Sequence, residues 1–304
     1  MKDKLGLSVS TLLATIRARL GPESETASLE AQVLLAHVLG APRAWVLAHP
    51  EARLSSEQTR LLEAYLQRLE GGEPLPYVLG HWEFFGLDFT VTPDVLIPRP
   101  ETELLVEQAL GWLRLHASRR LAADVGTGSG CIAVALAAHI PDLHILASDL
   151  SPAALQVASH NAARHAAGDR ITFIQTDLLL TNWPTGSTAN RTHLANQFDL
   201  ICANLPYIPT ETLAALRVAR WEPRIALDGG RDGLDLLRRL VAGAPDQLAP
   251  GGLLLLEIEA RQGAAAAALA RQAFPQAEVQ VLPDLSGLDR VIRVQSALRE
   301  EIGP

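Results

Sequence analysis

The tetrapeptide Asn204-Leu205-Pro206-Tyr207 sets a side-chain amide, a backbone carbonyl held before a proline and an aromatic ring next to one another. These are groups suited to gripping a planar nitrogen. An amide nitrogen, or the amino nitrogen of adenine, is a poor nucleophile because its lone pair is delocalised. A site acting on it works by positioning and desolvation rather than by a strong base. In such a site the Asn204 side-chain oxygen and the Leu205 carbonyl accept the two amino hydrogens, and Tyr207 packs on the planar group. Asn and Pro also favour turns, so the four residues by themselves describe no more than the end of a strand.

A second stretch supplies the missing half of the chemistry. Asp124-Val125-Gly126-Thr127-Gly128-Ser129-Gly130 follows an apolar run and precedes the helical pattern Ile132, Val134, Ala135, Leu136. Glycines allow a tight turn and close backbone approach, and the helix that follows presents free amides to the polar end of a ligand. A dinucleotide site asks for GxGxxG. Here Cys131 breaks that spacing and the glycines fall as GxGxG, the form used for S-adenosylmethionine. Gly126, Thr127, Gly128, Ser129 and Gly130 are therefore candidate cofactor-binding residues. Asp149, in Ala147-Ser148-Asp149-Leu150-Ser151-Pro152, stands where an acidic residue meets ribose hydroxyls. Its plainer role is a helix cap, but Ser151 with Pro152 already supplies that signal. Asp177 and Leu178, after the next strand, are placed for an adenine amino group and ring face, although strand-end aspartates are common. Asn204 reaches both cofactor and substrate in this scheme, with Asn204, Pro206 and Tyr207 as catalytic candidates.

The elements that must position these residues are legible as periodicities. From Ser8 to about Glu70 apolar residues recur at helical spacing, as in Leu12, Leu13, Ile16 and Leu20, broken at Gly21-Pro22, Gly40-Ala41-Pro42 and Ser55-Ser56-Glu57. This predicts a small bundle of four or five helices. Gly71-Gly72-Glu73-Pro74-Leu75-Pro76 cannot continue a helix, and Trp82 to Val91 reads as a β-hairpin around Gly86. Beyond Pro98 and Pro100 strands and helices alternate, the signature of a parallel sheet covered on both faces. Seven strands are expected: Leu121 to Val125, His144 to Asp149, Ile171 to Thr176, Phe198 to Ala203, Leu253 to Ile258, Glu278 to Leu282 and Arg290 to Val294. The predicted fold is α/β, a seven-stranded doubly wound Rossmann-like methyltransferase domain over 101–304. A small all-α domain over 1–73 and a linker with hairpin over 74–100 precede it. Thr181 to Gln197 is expected to be a surface loop, and the alanine-rich run at 264–268 an ordinary helix.

Composition narrows the function classes. The chain has 304 residues, 48% apolar and 20% charged, with a formal charge of −8. That balance argues against coating nucleic acid, and no apolar run approaches a membrane span. Met1 to Leu20 carries charges within a helical pattern, so no secretory signal is expected and the cytoplasm is the expected compartment. Cys131 and Cys202 lie in apolar segments without CxxC spacing and read as structural thiols. Of the nine histidines, the closest pairs, His139 with His144 and His160 with His165, stand at i, i+5. That spacing does not put two metal ligands on one helical face, so no metal is expected.

With these residues placed, the chain resembles the bacterial release-factor glutamine methyltransferases, the PrmC/HemK family. The matching stretches are Gly72-Glu73-Pro74-Leu75, Leu96-Ile97-Pro98-Arg99-Pro100-Glu101-Thr102-Glu103, Asp124 to Gly130, Glu222 to Gly230, Pro250-Gly251-Gly252 and Asp289-Arg290-Val291. The glycine loop is shared by many methyltransferases, whereas Ile97 to Glu103 is far more selective. The resemblance implies a helical amino-terminal domain that recognises class 1 release factors, and methylation of the side-chain amide of the glutamine in their Gly-Gly-Gln loop. It also implies cofactor contacts from Gly126 to Gly130, Asp149, Leu178 and Asn204, and glutamine contacts from Asn204 to Tyr207. A monomer that binds no nucleic acid directly is the expectation. For Arg99 and Glu101 a ligand role and a simple helix-start role both stay open.

Two positions depart from the family pattern. Leu205 replaces the first proline of Asn-Pro-Pro-Tyr, and Glu259 stands where glycine is more usual after Glu257-Ile258. The acceptor at 205 is a backbone carbonyl, which any residue provides, and Pro206 still steers Leu205 toward an extended backbone. The expected penalty is roughly 0.4–1 kcal/mol of pre-organisation, a few-fold in rate. Asn-Leu-Pro-Tyr is also the spelling in ribosomal RNA adenine dimethylases, so an adenine N6-methyltransferase acting on RNA or DNA is the enzymatic rival. A degenerate cofactor-binding module is a further alternative, and a hydride-transfer enzyme is disfavoured by Cys131.

Overall fold

The computed structural model describes residues 7–21, 26–179 and 197–298. The polar run expected to be a surface loop lies, apart from Gln197, outside the described residues. The chain forms two compact units, Met1–His81 and Trp82–Pro304.

The first unit is helical, with α1 (Val9–Leu20), α2 (Ala27–Leu39), α3 (Arg43–Ala48), α4 (Ser56–Glu70) and α5 (Leu75–Leu79). Its core is the apolar stripe seen in the sequence, with Val9, Ile16, Leu34, Leu35 and Leu62 buried. Ser55 starts α4 through a capping box with Gln58. Arg19 reaches from α1 to both Glu63 and Glu70 on α4. Helix α5 begins right after Pro74, with Pro76 in its first turn, where a missing N–H costs nothing.

A hairpin whose first strand starts at the last residue of the first unit, β1 (His81–Phe84) with β2 (Leu87–Thr90), begins the second unit, followed by α6 (Thr102–Leu115). Strands and helices then alternate as β3 (Leu121–Val125), α7 (Cys131–His139), β4 (His144–Asp149), α8 (Pro152–Arg164), β5 (Ile171–Gln175) and β6 (Phe198–Ala203). After the short α9 (Thr210–Leu213) come α10 (Asp235–Gln247), β7 (Leu248–Glu257), α11 (Gly263–Ala273), β8 (Glu278–Pro283) and β9 (Asp289–Gln295). The sheet order is β5-β4-β3-β6-β7-β9-β8.

Both faces of the sheet are covered, and this explains the unbroken apolar strands. Along β7, Leu253 and Leu255 belong to the core under α6 and α7, while Leu254 and Leu256 belong to the core under α10 and α11. Alternate side chains on a strand point to opposite faces, so a strand buried twice needs apolar residues at every position. The sheet is not wholly parallel as the alternation predicts: β9 runs antiparallel to both β7 and β8. The turn between β8 and β9 is too short for a crossover, and Asp284 closes it by accepting the N–H groups of Ser286 and Leu288. Among the described residues no helix is long and apolar enough to cross a membrane.

The register places the chemistry. Val125 pairs with Ser148 on one side and Ala203 on the other, and Ala203 pairs with Leu256. Gly126, Asp149, Asn204 and Glu257 therefore leave or finish their strands at the same carboxyl edge. From β3 the chain winds outward to β4 and β5, then returns to lay β6 on the other flank of β3. That reversal is the point at which α/β sheets open a crevice for ligand.

Candidate active site

A cavity lies at this switch point, lined from the glycine loop by Gly126, Thr127, Gly128 and Ser129. Asp149, Asp177 and Leu178 line it from the ends of β4 and β5, and Asn204, Leu205 and Pro206 from the end of β6. Two expected site residues, Gly130 and Tyr207, are not part of its lining. Gly130 is the N-cap of α7 at φ 80°, and a β-carbon there would come within 3.0 Å of the Ala158 Cβ. Its glycine lets α7 approach α8 closely. Tyr207 is mostly buried, and its hydroxyl is pushed up to about 12 by burial and by the Glu257 carboxyl, so it is not a base.

The glycine loop is built from its own backbone. Gly126 and Thr127 both donate N–H to the Ser148 carbonyl, at 2.8 and 2.9 Å. Thr127 Oγ1 donates to Asp124 Oδ2 at 2.6 Å, and Ala133 N donates to the same oxygen at 3.2 Å. Asp124 is fully buried, and that burial holds its carboxyl up at about 6. Gly126, at φ 73°, faces Leu205: a β-carbon at 126 would stand 3.2 Å from Leu205 Cδ2. At Gly128, by contrast, the same construction meets nothing within 4 Å, so the loop crest is open to the cavity.

Asp149 is more committed than the sequence suggests. Ser151 caps α8, as expected, by accepting from Ala154 N. Yet each Asp149 oxygen already accepts one backbone N–H, Oδ2 from Gly128 at 2.9 Å and Oδ1 from Ser151 at 2.8 Å. A carboxylate has about four acceptor positions, so room for ribose hydroxyls remains while the side chain also shapes the loop. Asp177 is half exposed and paired with Arg239 at 2.8 Å. Leu178 holds a left-handed backbone, φ 65°, unusual for a branched apolar residue and of the kind that clusters at ligand sites.

Asn204 Nδ2 donates to Thr102 Oγ1 at 3.0 Å, and Thr102 Oγ1 donates to Glu257 Oε2 at 2.6 Å. Thr102 and Glu257 are buried, at 1% and 3% exposure. Burial pushes the Glu257 carboxyl up to about 7. Arg99 lines the cavity and is paired with the buried Glu222, which also accepts the Ile97 N–H at 3.3 Å. The selective Ile97 to Glu103 stretch is thereby tied to the Glu222 to Gly230 stretch. Glu101 is exposed at the start of α6, makes no cap bond and does not line the cavity. Glu259 has φ −74°, a conformation that needs no glycine. It caps the following 3-10 turn, with its N–H donating to Gln262 Oε1, while Gln262 Nε2 donates to the Tyr207 carbonyl at 3.1 Å.

Motif reading missed Thr102 and Glu257 as site residues, and missed Asn161 on α8 altogether. Asn161 is fully buried, donates to the Ser129 and Thr90 carbonyls and accepts the Thr90 N–H, so it joins the hairpin to the glycine loop. A charge at the end of the Leu253 to Leu256 run was the available signal for Glu257. Cys131 and Cys202 are free thiols raised by burial, Cys131 to about 12, and neither is a nucleophile.

The geometry suits a nucleotide-like ligand: open backbone at Gly128, a carboxylate with spare acceptors, apolar walls from Ile132, Leu150 and Leu178, and an amide at one end. Comparison with known proteins agrees. Residues 11–80 match the family model of the PrmC N-terminal domain, and residues 122–220 that of a methyltransferase domain. The release factor glutamine methyltransferase of Moorella thermoacetica is 44% identical over 88% of this chain and 90% of its own length. That of Bordetella pertussis is 44% identical over 86% of this chain and 93% of its own. Among solved structures, the release-factor-specific protein-(glutamine-N5) methyltransferase of Alicyclobacillus acidocaldarius is 32% identical, covering 69% of this chain and 99% of that one, with a TM-score of 0.41. The hMettl16 catalytic domain, solved with an RNA hairpin, is 15% identical with a TM-score of 0.52 over 82% of this chain and 84% of that one, a likeness of fold alone. By its motifs, its extent and its identity to these relatives, the chain belongs to the release factor glutamine methyltransferase family.

Proposed function

We propose that this chain transfers a methyl group from S-adenosylmethionine to the side-chain amide nitrogen of a release-factor glutamine, the one in the Gly-Gly-Gln loop of class 1 factors. The observation that carries the reading is the meeting of the glycine loop with Asn204, Leu205 and Pro206 in one cavity, with Leu205 packed against Gly126. S-adenosylmethionine, when bound, supplies a methyl group on a positively charged sulfur, open to attack by a weak nucleophile. The loop from Gly126 to Ser129, Asp149, Asp177 and Leu178 are the residues proposed to hold it.

The chain's own part is positioning. Asn204 Oδ1 and the Leu205 carbonyl accept the two amide hydrogens of glutamine, turning the nitrogen lone pair out of conjugation and toward the methyl donor. Pro206 stiffens the loop, while Tyr207, which does not line the cavity, is assigned no contact with the amide. One N–C bond forms as the S–C bond breaks, and one amide proton is released to water. An amide nitrogen that has gained a methyl group is strongly acidic, so no side-chain base is needed. The helical unit is proposed to recognise the body of the release factor, with the chain acting as a monomer in the cytoplasm. The charge of −8 supports a protein rather than a nucleic-acid substrate.

The test is mass spectrometry of a purified class 1 release factor after incubation with enzyme and S-adenosylmethionine, beside ribosomal RNA and DNA. A gain of one methyl group on the Gly-Gly-Gln glutamine is expected. Label on nucleic acid with an unmodified glutamine would overturn the reading.

A further inference from the structure

The oxygen and nitrogen of an Asn side chain have nearly the same shape, so packing alone does not decide which of them faces the cavity. Hydrogen bonding does. At Asn204 the decision is made two residues away. Thr102 Oγ1 lies 3.0 Å from Asn204 Nδ2 and 2.6 Å from Glu257 Oε2. A hydroxyl carries a single proton. An ionised Glu257 has none to give, so the Thr102 proton goes to Glu257 and Thr102 offers Asn204 only lone pairs. Asn204 must then turn its NH2 toward Thr102 and its oxygen toward the cavity.

We infer that Glu257 is a positioning residue for methyl transfer: its carboxylate, acting through the Thr102 hydroxyl, locks the Asn204 side-chain oxygen toward the amino group to be methylated. The inference rests on the proposed role of Asn204 as acceptor. Among the described residues no ion pair fixes a carboxylate here: Arg290 and Arg99 favour its charge but are paired with Asp284 and Glu222. Glu257 is 3% exposed, and its Oε1 makes no hydrogen bond in the structure. A glutamine would fill the same volume without burying a charge. What a glutamine lacks is direction, since it can donate to Thr102 as readily as accept from it.

The charged surroundings make the relay sensitive to pH. Arg290 and Arg99 favour the ionised carboxyl, while Glu101 and burial oppose it. The Tyr207 hydroxyl and the Cys131 thiol, both raised in part by Glu257, are protonated neighbours. The balance leaves the carboxyl at about 7. Once protonated, Glu257 can donate to Thr102, Thr102 to Asn204, and the amide turns over. Its NH2 then faces the substrate NH2, donor against donor.

The experiment compares full-length wild type with Glu257→Gln, Thr102→Val, Thr102→Ser and Asn204→Ala, using release factor as substrate. Readouts are kcat, KM and their pH profiles, with cofactor affinity by calorimetry. Glu257→Gln and Thr102→Val are expected to lower kcat roughly 10- to 100-fold, the range for lost alignment, with cofactor affinity changed less than about threefold. Both should lose the acid limb of the kcat profile near pH 7, and their combination should cost no more than either alone. Thr102→Ser keeps the hydroxyl and should restore activity to within about threefold of wild type. Wild-type kcat and pH profile in Glu257→Gln would overturn the relay, as would Thr102→Val matching Thr102→Ser. The second comparison holds even if Glu257→Gln does not fold. An inactive Asn204→Ala beside a wild-type Glu257→Gln would refute the relay alone, whereas a fully active Asn204→Ala would refute the reading of Asn204 beneath it.

Discussion

Gly126 and Leu205 touch across the reversal point of the sheet: a β-carbon added at 126 would lie 3.2 Å from Leu205 Cδ2. The contact joins the strand end proposed to cradle the cofactor to the one proposed to hold the substrate. Gly126→Ala would combine that close approach with a left-handed backbone, φ 73°. The backbone cost alone is about 1–2 kcal/mol, and displacement of Leu205 adds to it. The expected result is S-adenosylmethionine affinity weakened roughly 10- to 100-fold by calorimetry. Gly128→Ala, with open space and φ 55°, should lose roughly tenfold or less. Equal losses in the two variants would mean that Leu205 yields freely and the contact carries no weight.

Leu205 is 7% exposed and belongs to the core cluster with Val125 and Ile201. The sequence alone presents it as a missing proline, while the structure presents it also as a buried side chain. Leu205→Pro should therefore separate two effects. Trimming the side chain should lower stability by about 1–3 kcal/mol, seen as a drop of several degrees in Tm. Pre-organisation of the tetrapeptide should raise kcat roughly two- to fivefold at temperatures where the protein stays folded. A rise beyond a hundredfold would mark the natural residue as a crippling change rather than a tolerated one.

Why the strands are legible and the relay is not follows from where each is encoded. β3, β4 and β6 have the bounds that their apolar runs predict, because burial on both faces keeps them mainly apolar, with Asp124, Ser148 and Asp199 as polar exceptions. β7 begins at Leu248, ahead of the expected Leu253, because Pro250-Gly251-Gly252 reads as a stop. That stretch is held instead by partners from the chain's far end, with Gly251 N donating to Ala297 O and Gly252 N to Ser296 Oγ. The glycine loop and the tetrapeptide are local motifs whose chemistry shows in neighbouring residues. The Asn204–Thr102 and Thr102–Glu257 bonds join positions 102 and 155 residues apart, a proximity created only by the sheet register.

Two buried carboxyls should write themselves into the pH dependence of stability. Burial raises Asp124 from 3.8 to about 6 and Glu257 from 4.5 to about 7. The folded chain thus binds more protons than the unfolded chain between about pH 4 and 7, and unfolding free energy falls as pH rises through that window. At about 1.4 kcal/mol per unit, Asp124 accounts for on the order of 2–3 kcal/mol. Asp124→Asn keeps an oxygen to accept from Thr127 and removes the charge. Urea unfolding at pH 5 and pH 7.5 should show a smaller difference in the variant than in wild type by about 1.4 kcal/mol, because part of the effect is already lost between pH 3.8 and 5. Parallel behaviour would mean that Asp124 titrates near its ordinary value.

Asn161 makes the sharpest case for a structural residue that sequence motifs pass over. Its Nδ2 donates to Thr90 O at 3.0 Å and Ser129 O at 2.8 Å, and its Oδ1 accepts Thr90 N at 2.8 Å, with Asn161 itself fully buried and Thr90 partly so. Asn161→Ala leaves those backbone groups unpaired, at about 1–3 kcal/mol each. Asn161→Asp is nearly isosteric yet worse in principle, since it replaces the donating NH2 with an acceptor facing two carbonyl oxygens and buries a charge. Urea unfolding should rank wild type above Asn161→Ala, with Asn161→Asp lowest at pH 7.5. Lowering the pH should recover part of the loss in Asn161→Asp, because a protonated carboxyl can donate one of the two missing bonds. Ser129 sits on the loop proposed to hold the cofactor, so both variants should also weaken S-adenosylmethionine binding by calorimetry. Unchanged binding in a folded Asn161→Ala would confine Asn161 to anchoring the hairpin and leave the loop's shape to Asp124 and Asp149.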